Sequence, residues 1–402
     1  MRRFQVVVLF IVVFWSKTID AQIFADFDTS MGGFTCQLRH EDSPKAVANF
    51  IGLAEGSRPW IDPATGAVRD GVSYYAGVRF HRVVGGFMNQ TGSRNGLGND
   101  GPGYVFKDEV ANGLSHDSGG ILSMANSGKN TNGAQFFVTA ASATHLDGKH
   151  TIFGFVTSGI GVVNAINGVP KSLNSDSELS VPVTPIILNS VVIRRVGPEA
   201  EAFDIDAQGL PEVSEVGGGL VVEPGVAATF VRGVVQPDRS IFVWYRSGDL
   251  KSWSKSGQVY EDWRSVGSGV ATLDDAADSR AFYHLSEVKY TDGVIGPDDT
   301  RSHNLTVVWS GGTLNFQMDA TGFSGIGSYN GGAFEILDAW LDESGPYRTT
   351  WIIETDDFGY LAVLGDLSER NGNTTTGTEE LFQYGAFGWQ SLGSGTLTLV
   401  HP

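Results

Sequence analysis

A mainly β protein is what this 402-residue sequence predicts: a closed eight-stranded antiparallel barrel capped by two helices, then a β-rich C-terminal region of one or two small domains. Three observations carry that expectation. Short apolar runs of period two recur along the chain, separated by turns that draw on 53 glycines. Only two short stretches have helical spacing. The composition changes after residue 197, and a chain of this length is expected to hold two or three domains.

The elements follow in order. Residues 1–21 read as a secretory leader: Arg2 and Arg3, then apolar sequence from Phe4 to Trp15, too short to span a bilayer comfortably, then Ile19-Asp20-Ala21 as an imperfect cleavage site. An uncleaved anchor is the competing reading. The expectation is a protein exported to a bacterial periplasm or the exterior, without stable membrane insertion once the leader is removed. Ile23, Ala25 and Phe27 alternate, and Phe34, Cys36 and Leu38 alternate on the return strand. Cys36 is the single cysteine, so no intrachain disulfide forms even though export permits one. Ser43 is expected to cap a helix with Pro44 at its first position, and Gly56 to end it. Val47, Phe50, Ile51 and Ala54 make its buried stripe, which plugs one end of the barrel.

Residues 56–77 read as an extension packing on the barrel, with shaping one rim of the functional face as the alternative. The glycine-rich loop 92–103 reads as a groove flank, because it lacks the Lys-Ser/Thr context of a phosphate loop. Further strands are expected at 104–110, 120–124, 135–139, 151–156 and within 183–196, with a short helix marked by Val162, Val163 and Ile166. Residues 198–225 read as an acidic, flexible, Gly-containing linker with room for a short strand. In residues 226–402, strands are expected at 228–235, 240–246, 281–288, 305–309, 313–318, 349–354 and 396–400, with a possible break near 290–303. Asn330-Gly331 is a strong hairpin signal. Seven of the nine tryptophans lie in this half, where filling a small β core and stacking on sugar rings are the two readings.

The chemistry concentrates in residues 80–90, FHRVVGGFMNQ. Alternation puts Met88 and Gln90 on one face, and Arg82 joins them if the Gly85-Gly86 bend keeps the parity. His81 then points the other way. A second stretch, MANSGKNTNGAQFF from Met124, sets Gln135 and Phe137 opposite Phe136 and Val138. A third, HLDGKHTIFG from His145, adds Leu146 and His150.

These blocks resemble the cyclophilin-type peptidyl-prolyl cis-trans isomerases. The family pattern runs approximately FHR-hydrophobic-hydrophobic-x-GFM-x-Q, MAN-x-G-x-NTNGSQFF and W-LDGKH-x-x-FG, in the same order and spacing. The resemblance covers residues 22–197 and implies catalytic roles for Arg82 and Gln90. It implies substrate contacts for Phe87, Met88, Ala125, Asn126, Gln135, Phe137, His145, Leu146 and His150, on proline-containing polypeptide clients. His145 stands where the family often has Trp, which implies weakened cyclosporin sensitivity; Ala134 replaces the usual Ser.

The isomerase reading needs no cofactor and no metal. His145 and His150 lack acidic partners at ligand spacing, and the pairs Asp274-Asp275, Asp298-Asp299 and Asp356-Asp357 read as solvated turns. A net charge of −18 argues against a nucleic-acid partner, because phosphate backbones favour clustered cations. A binding module that holds proline segments without turning them over is the rival function, and the C-terminal region is a candidate for contact with glycans or a cell surface.

Overall fold

The computed structural model describes residues 21–222 without a break, and then residues up to 400 apart from 223–227, 232–238, 248, 250, 252–253, 261–269, 274–280, 292–302, 322–323, 345, 372 and 386–387. The leader, most of the expected break at 290–303, and the pairs Asp274-Asp275 and Asp298-Asp299 therefore lie outside the described residues.

Nine strands form one curled antiparallel sheet in the order Val78–Arg79, Ile187–Val196, Gln22–Thr29, Gly32–Leu38, Ile152–Ser158, Ile121–Met124, Phe136–Thr139, Met88–Thr91, Arg82–Val84. The two edge strands belong to one run of chain, with only Phe80 and His81 between them. Arg79 also bridges Ser93, just past the Met88–Thr91 strand. The expected barrel thus has nine short strands, and covalent continuity completes its seam where a ladder of hydrogen bonds does not.

Aromatic residues fill the interior. Phe27 stacks on Phe34 at 4.4 Å between centroids, and Phe50 meets Phe136 edge-on at 5.3 Å and Phe153 at 5.3 Å. Each such contact adds about 0.5–1.5 kcal/mol beyond simple burial. Phe50 belongs to the helix Pro44–Glu55, so this helix is pinned to the core by its own buried stripe. Gly56, at φ 79°, ends it in the left-handed conformation.

The start of that helix departs from expectation. The Ser43 hydroxyl donates to the Ile152 carbonyl at 2.6 Å and makes no cap. The Glu109 carboxylate instead accepts the amides of Lys45 and Ala46 at 3.0 and 2.9 Å, a cap delivered from across the fold to the positive end of the helix. This explains why 104–110 is no strand. Asp108 and Glu109 turn their carboxylates toward orphan amides, and only Phe106 pairs, as an isolated bridge to Asn132.

The 56–77 extension packs as a structural clamp. Trp60, Tyr74 and Tyr75 are buried, the Arg94 guanidinium sits 5.2 Å over the Trp60 ring, and Tyr75 donates to the Ala134 carbonyl at 3.0 Å. Cys36 is fully buried, and burial pushes its thiol far above the ordinary range, so it is inert.

The stretch expected as a flexible linker is ordered over 198–222. It holds a helical turn, Pro198–Glu201, and a strand, Glu212–Val222, which enters a four-stranded sheet beside Ala281–Tyr290. Buried Leu210 and a 2.6 Å hydrogen bond from Arg58 Nη1 to the Pro211 carbonyl fasten it to the isomerase-like region.

From residue 304 the chain makes a second, closed barrel of eight strands. They are Asn304–Trp309, Gly312–Met318, Gly325–Tyr329, Gly332–Ser344, Arg348–Thr355, Gly359–Asn371, Thr374–Gly385 and Gly388–Val400, each beside its sequence neighbour. The last pairs with the first, from Asn304↔Val400 to Trp309↔Gly395. Leu305, Phe316, Trp351, Ile353, Val363 and Leu397 are buried in it. Asn330 at φ 48° and Gly331 at φ 89° form the expected tight hairpin turn.

Candidate active site

The first sheet brings the predicted residues into one row. Arg82 lies opposite Gln90, Gln90 opposite Phe137, and Phe137 opposite Ser123 on successive antiparallel strands. Residues directly paired across strands share a face, so the Gly85-Gly86 bend does keep the parity. Phe87 donates its amide to Val84 at 3.1 Å, and Gly86 supplies the φ of 70° that the turn needs. Asn167, at the end of helix Ile160–Asn167, braces this bend: it accepts from Gly86 N at 2.8 Å and donates to the Val84 carbonyl at 2.9 Å.

The Arg82 guanidinium is held from two sides. Nη1 donates to Gln90 Oε1 at 3.1 Å. Nε and Nη2 both donate to the Glu178 carboxylate at 2.7 Å, a side-on fork. Gln90 is fixed in turn by Gln135 Oε1 at 3.1 Å, and Gln135 donates to the carbonyls of Gly98 and Asp100 at 3.0 and 2.8 Å. The glycine-rich loop therefore orients the arginine through two amides.

An aromatic floor lies beside this cation. Met88 and Phe137 are almost fully buried, although both lie outside the main interior cluster that holds Phe136. His150 stands edge-on to Phe137 at 5.7 Å, and Phe87 faces His145 at 5.4 Å. His150 donates Nδ1–H to the Met124 carbonyl at 2.9 Å, which sets its ring. Asn126 uses its side chain to join two rims: Nδ2 donates to the Lys149 carbonyl at 2.9 Å, beside half-buried Ala125 and Leu146.

His116 was not anticipated from the sequence. Its Nδ1 lies 2.7 Å from Asp147 Oδ1 and its Nε2 2.9 Å from Ser123 Oγ, the connectivity of a nucleophilic triad. Ser123 is fully buried and also donates to the Thr151 carbonyl at 3.1 Å, so no substrate carbonyl reaches it. The relay is a brace. His116 stacks against Phe137 at 6.0 Å, and the Ser115 hydroxyl with the His116 amide holds Asp147 down at about 2. Glu178 was missed as well: it sits in a polar turn with no local signal, 96 residues from its partner. Among the described residues no group of three His, Cys, Asp or Glu is placed to hold a metal ion.

The model of the cyclophilin-type peptidyl-prolyl cis-trans isomerase family matches residues 24–191. Peptidyl-prolyl cis-trans isomerase B of Streptomyces anulatus is 41% identical over 174 residues, which is 43% of this chain and 97% of that protein. Peptidyl-prolyl cis-trans isomerase-like 1 of Aspergillus fumigatus is 46% identical over 153 residues, 37% of this chain and 84% of that protein. A crystal structure of a cyclophilin-type isomerase of Cryptosporidium parvum covers 44% of this chain and 99% of its own, at 31% identity and a TM-score of 0.37. With a relative 41% identical matched over nearly its whole length, the chain belongs to the cyclophilin-type peptidyl-prolyl cis-trans isomerases.

Proposed function

We propose that this isomerase acts on X–Pro bonds of exported polypeptides and thereby assists their folding. The observation that carries the catalytic part is a guanidinium fixed by three hydrogen bonds at the end of an aromatic row. Amide resonance sets the rotation barrier at roughly 18–20 kcal/mol, and the uncatalysed exchange takes tens to hundreds of seconds. Lowering it requires only that the twisted amide bind better than the planar one. In the twisted state the prolyl nitrogen regains its lone pair, and a fixed cationic donor stabilises it most there. Arg82 is that donor. Phe87, Met88, Phe137, Leu146 and His150 form the dry seat for the proline ring, and Ala125, Asn126, Gln135 and His145 line the path of the flanking chain.

A proline-tetrapeptide exchange assay tests this directly. Wild type accelerates isomerisation, and Arg82→Ala loses about a hundredfold or more of that acceleration. An Arg82→Ala protein as fast as wild type sinks the mechanism and leaves a proline-binding module. Cyclosporin inhibition is expected to be weak because His145 replaces an indole; nanomolar inhibition contradicts that.

Export rests on Arg2, Arg3 and the apolar run that follows. Fractionation with N-terminal mass spectrometry checks it, and an intact leader in the cytosol counts against it. For the C-terminal region the reading is contact with glycans or the cell envelope. Exposed Tyr384 and Trp389 meet edge-on at 5.2 Å on one hairpin, a face suited to stacking on sugar rings. Unchanged envelope or glycan retention after Trp389→Ala removes the support for it.

A further inference from the structure

We propose that Glu178 is a positioning residue for isomerisation: its carboxylate grips one edge of the Arg82 guanidinium and fixes the orientation that a bound X–Pro bond meets. The inference rests on Arg82 acting at the prolyl amide.

The donor count supports it. Arginine has five N–H groups. Two are taken by Glu178 and one by Gln90, which leaves two for substrate. Gln90 alone, a single acceptor 3.1 Å away, leaves the guanidinium free to swing about that contact. The fork to Glu178 adds two parallel bonds at 2.7 Å and defines the plane. Both side chains are about one-third exposed, so the Coulombic part is screened and the geometric part dominates.

The carboxylate is itself well anchored. The Glu178 amide donates to Asn174 Oδ1 at 2.8 Å, and its carbonyl accepts from Asn174 N at 2.9 Å. Asn174 Oδ1 also accepts from Asp176 N at 3.0 Å, and Ser177 takes φ 64° to close the turn. The turn joins the paired strands Lys171–Leu173 and Leu179–Pro182, and the second of these lies beside Arg82–Val84. The hairpin thus carries a rigid acceptor to the arginine from outside the sheet. Arg82 in turn holds the Glu178 carboxyl below the ordinary range, so it is ionised at neutral pH.

The test uses the full chain and a proline tetrapeptide. Glu178→Ala is expected to lower kcat about tenfold, with KM within about twofold, as for a misplaced rather than a missing catalytic group. Glu178→Gln, which keeps the volume and one acceptor oxygen, falls between. In an Arg82→Lys background, Glu178→Ala has no further effect, because the fork is already gone. The slowly exchanging Arg82 Nε–H signal in the nitrogen-15 NMR spectrum disappears in Glu178→Ala. An active wild type with unaltered kcat in Glu178→Ala overturns the proposal, and so does an equal loss in the Arg82→Lys background. An inactive wild type overturns the isomerase reading itself and this inference with it.

Discussion

The curled sheet of residues 22–196 and the closed barrel of 304–400 each bury an ionisable side chain, and the two choices are opposite. In the first, burial holds His81 neutral and pushes it down to about 4. In the second, Glu379 is buried between Gly365 and Gly395 with neither carboxyl oxygen hydrogen-bonded. Burial, with Glu380 beside it, pushes it up to about 7. The comparison teaches that an ionisable side chain buried without a hydrogen-bonding partner is held toward its neutral form, and that acid and base then pull the two regions apart in different directions.

The largest expected effects test whether the two regions stand separately. Phe136→Ala removes a ring at the centre of the first core and is expected to cost about 3–5 kcal/mol and abolish isomerisation. Trp351→Ala is expected to cost the C-terminal barrel a similar amount while leaving the isomerisation rate near wild type. Two thermal transitions, followed by isomerase activity for one region and by near-UV circular dichroism of the barrel indoles such as Trp309 and Trp389 for the other, read both outcomes. Equal shifts of both transitions in either variant break the comparison and make the chain one cooperative unit.

The pH pair comes next. His81 has an ordinary value of 6.5 and a folded value of about 4, so between them the unfolded chain binds the proton better. The first region is then less stable as pH falls from 6.5 toward 4, by up to about 3 kcal/mol. His81→Gln removes that slope. Glu379 runs the other way: its value rises from 4.5 to about 7, so the folded barrel keeps a proton the unfolded chain has lost. Its stability falls as pH climbs from 4.5 to 7, again by up to about 3 kcal/mol, and Glu379→Gln flattens it. Urea midpoints across pH 4–7 measure both, and parallel slopes in the two regions would falsify the contrast.

The smallest effect concerns the contact between the regions. Lys129, on the loop that follows Asn126, donates to Thr378 Oγ1 at 3.0 Å and lies 3.4 Å from Asp366. Lys107 donates to the Ser368 carbonyl at 2.7 Å. Half-exposed pairs of this kind contribute about 1 kcal/mol or less. A Lys129→Ala and Asp366→Ala cycle is expected to show that coupling in the barrel transition; several kcal/mol would mean that the Lys129 loop and the barrel fold together.

The candidate site was partly legible because its residues sit in short strands, where period two puts Met88 and Gln90 on one face and Arg82 opposite Gln90; His81, expected to point the other way, lies against Gly98 beside Gln135, because it falls between two strands where the alternation does not hold. Hairpin chemistry at Asn330-Gly331 was legible for a similar reason, since the backbone requirement lies within two residues. The start of the first helix was misread because Ser43 has a suitable side chain, yet a carboxylate 63 residues away reaches Ala46 instead. The strands Gly359–Asn371 and Thr374–Gly385 were missed because their inward positions include Gly365, Gly377 and Glu379, which interrupt the apolar alternation.

The order of side chains along the chain was enough to set the alternation of Met88 with Gln90 and of Gln135 with Phe137, the family resemblance, and the absence of an intrachain disulfide. What only the folded molecule decided is who holds them: Glu178 on Arg82, the loop carbonyls on Gln135, Asn167 under the glycine bend, and the last strand closing on Asn304. The reason is physical. Alternation is a property of neighbouring residues, whereas a hydrogen-bond partner delivered from a distant turn is selected by how the sheets curl, and that leaves no mark on the local pattern.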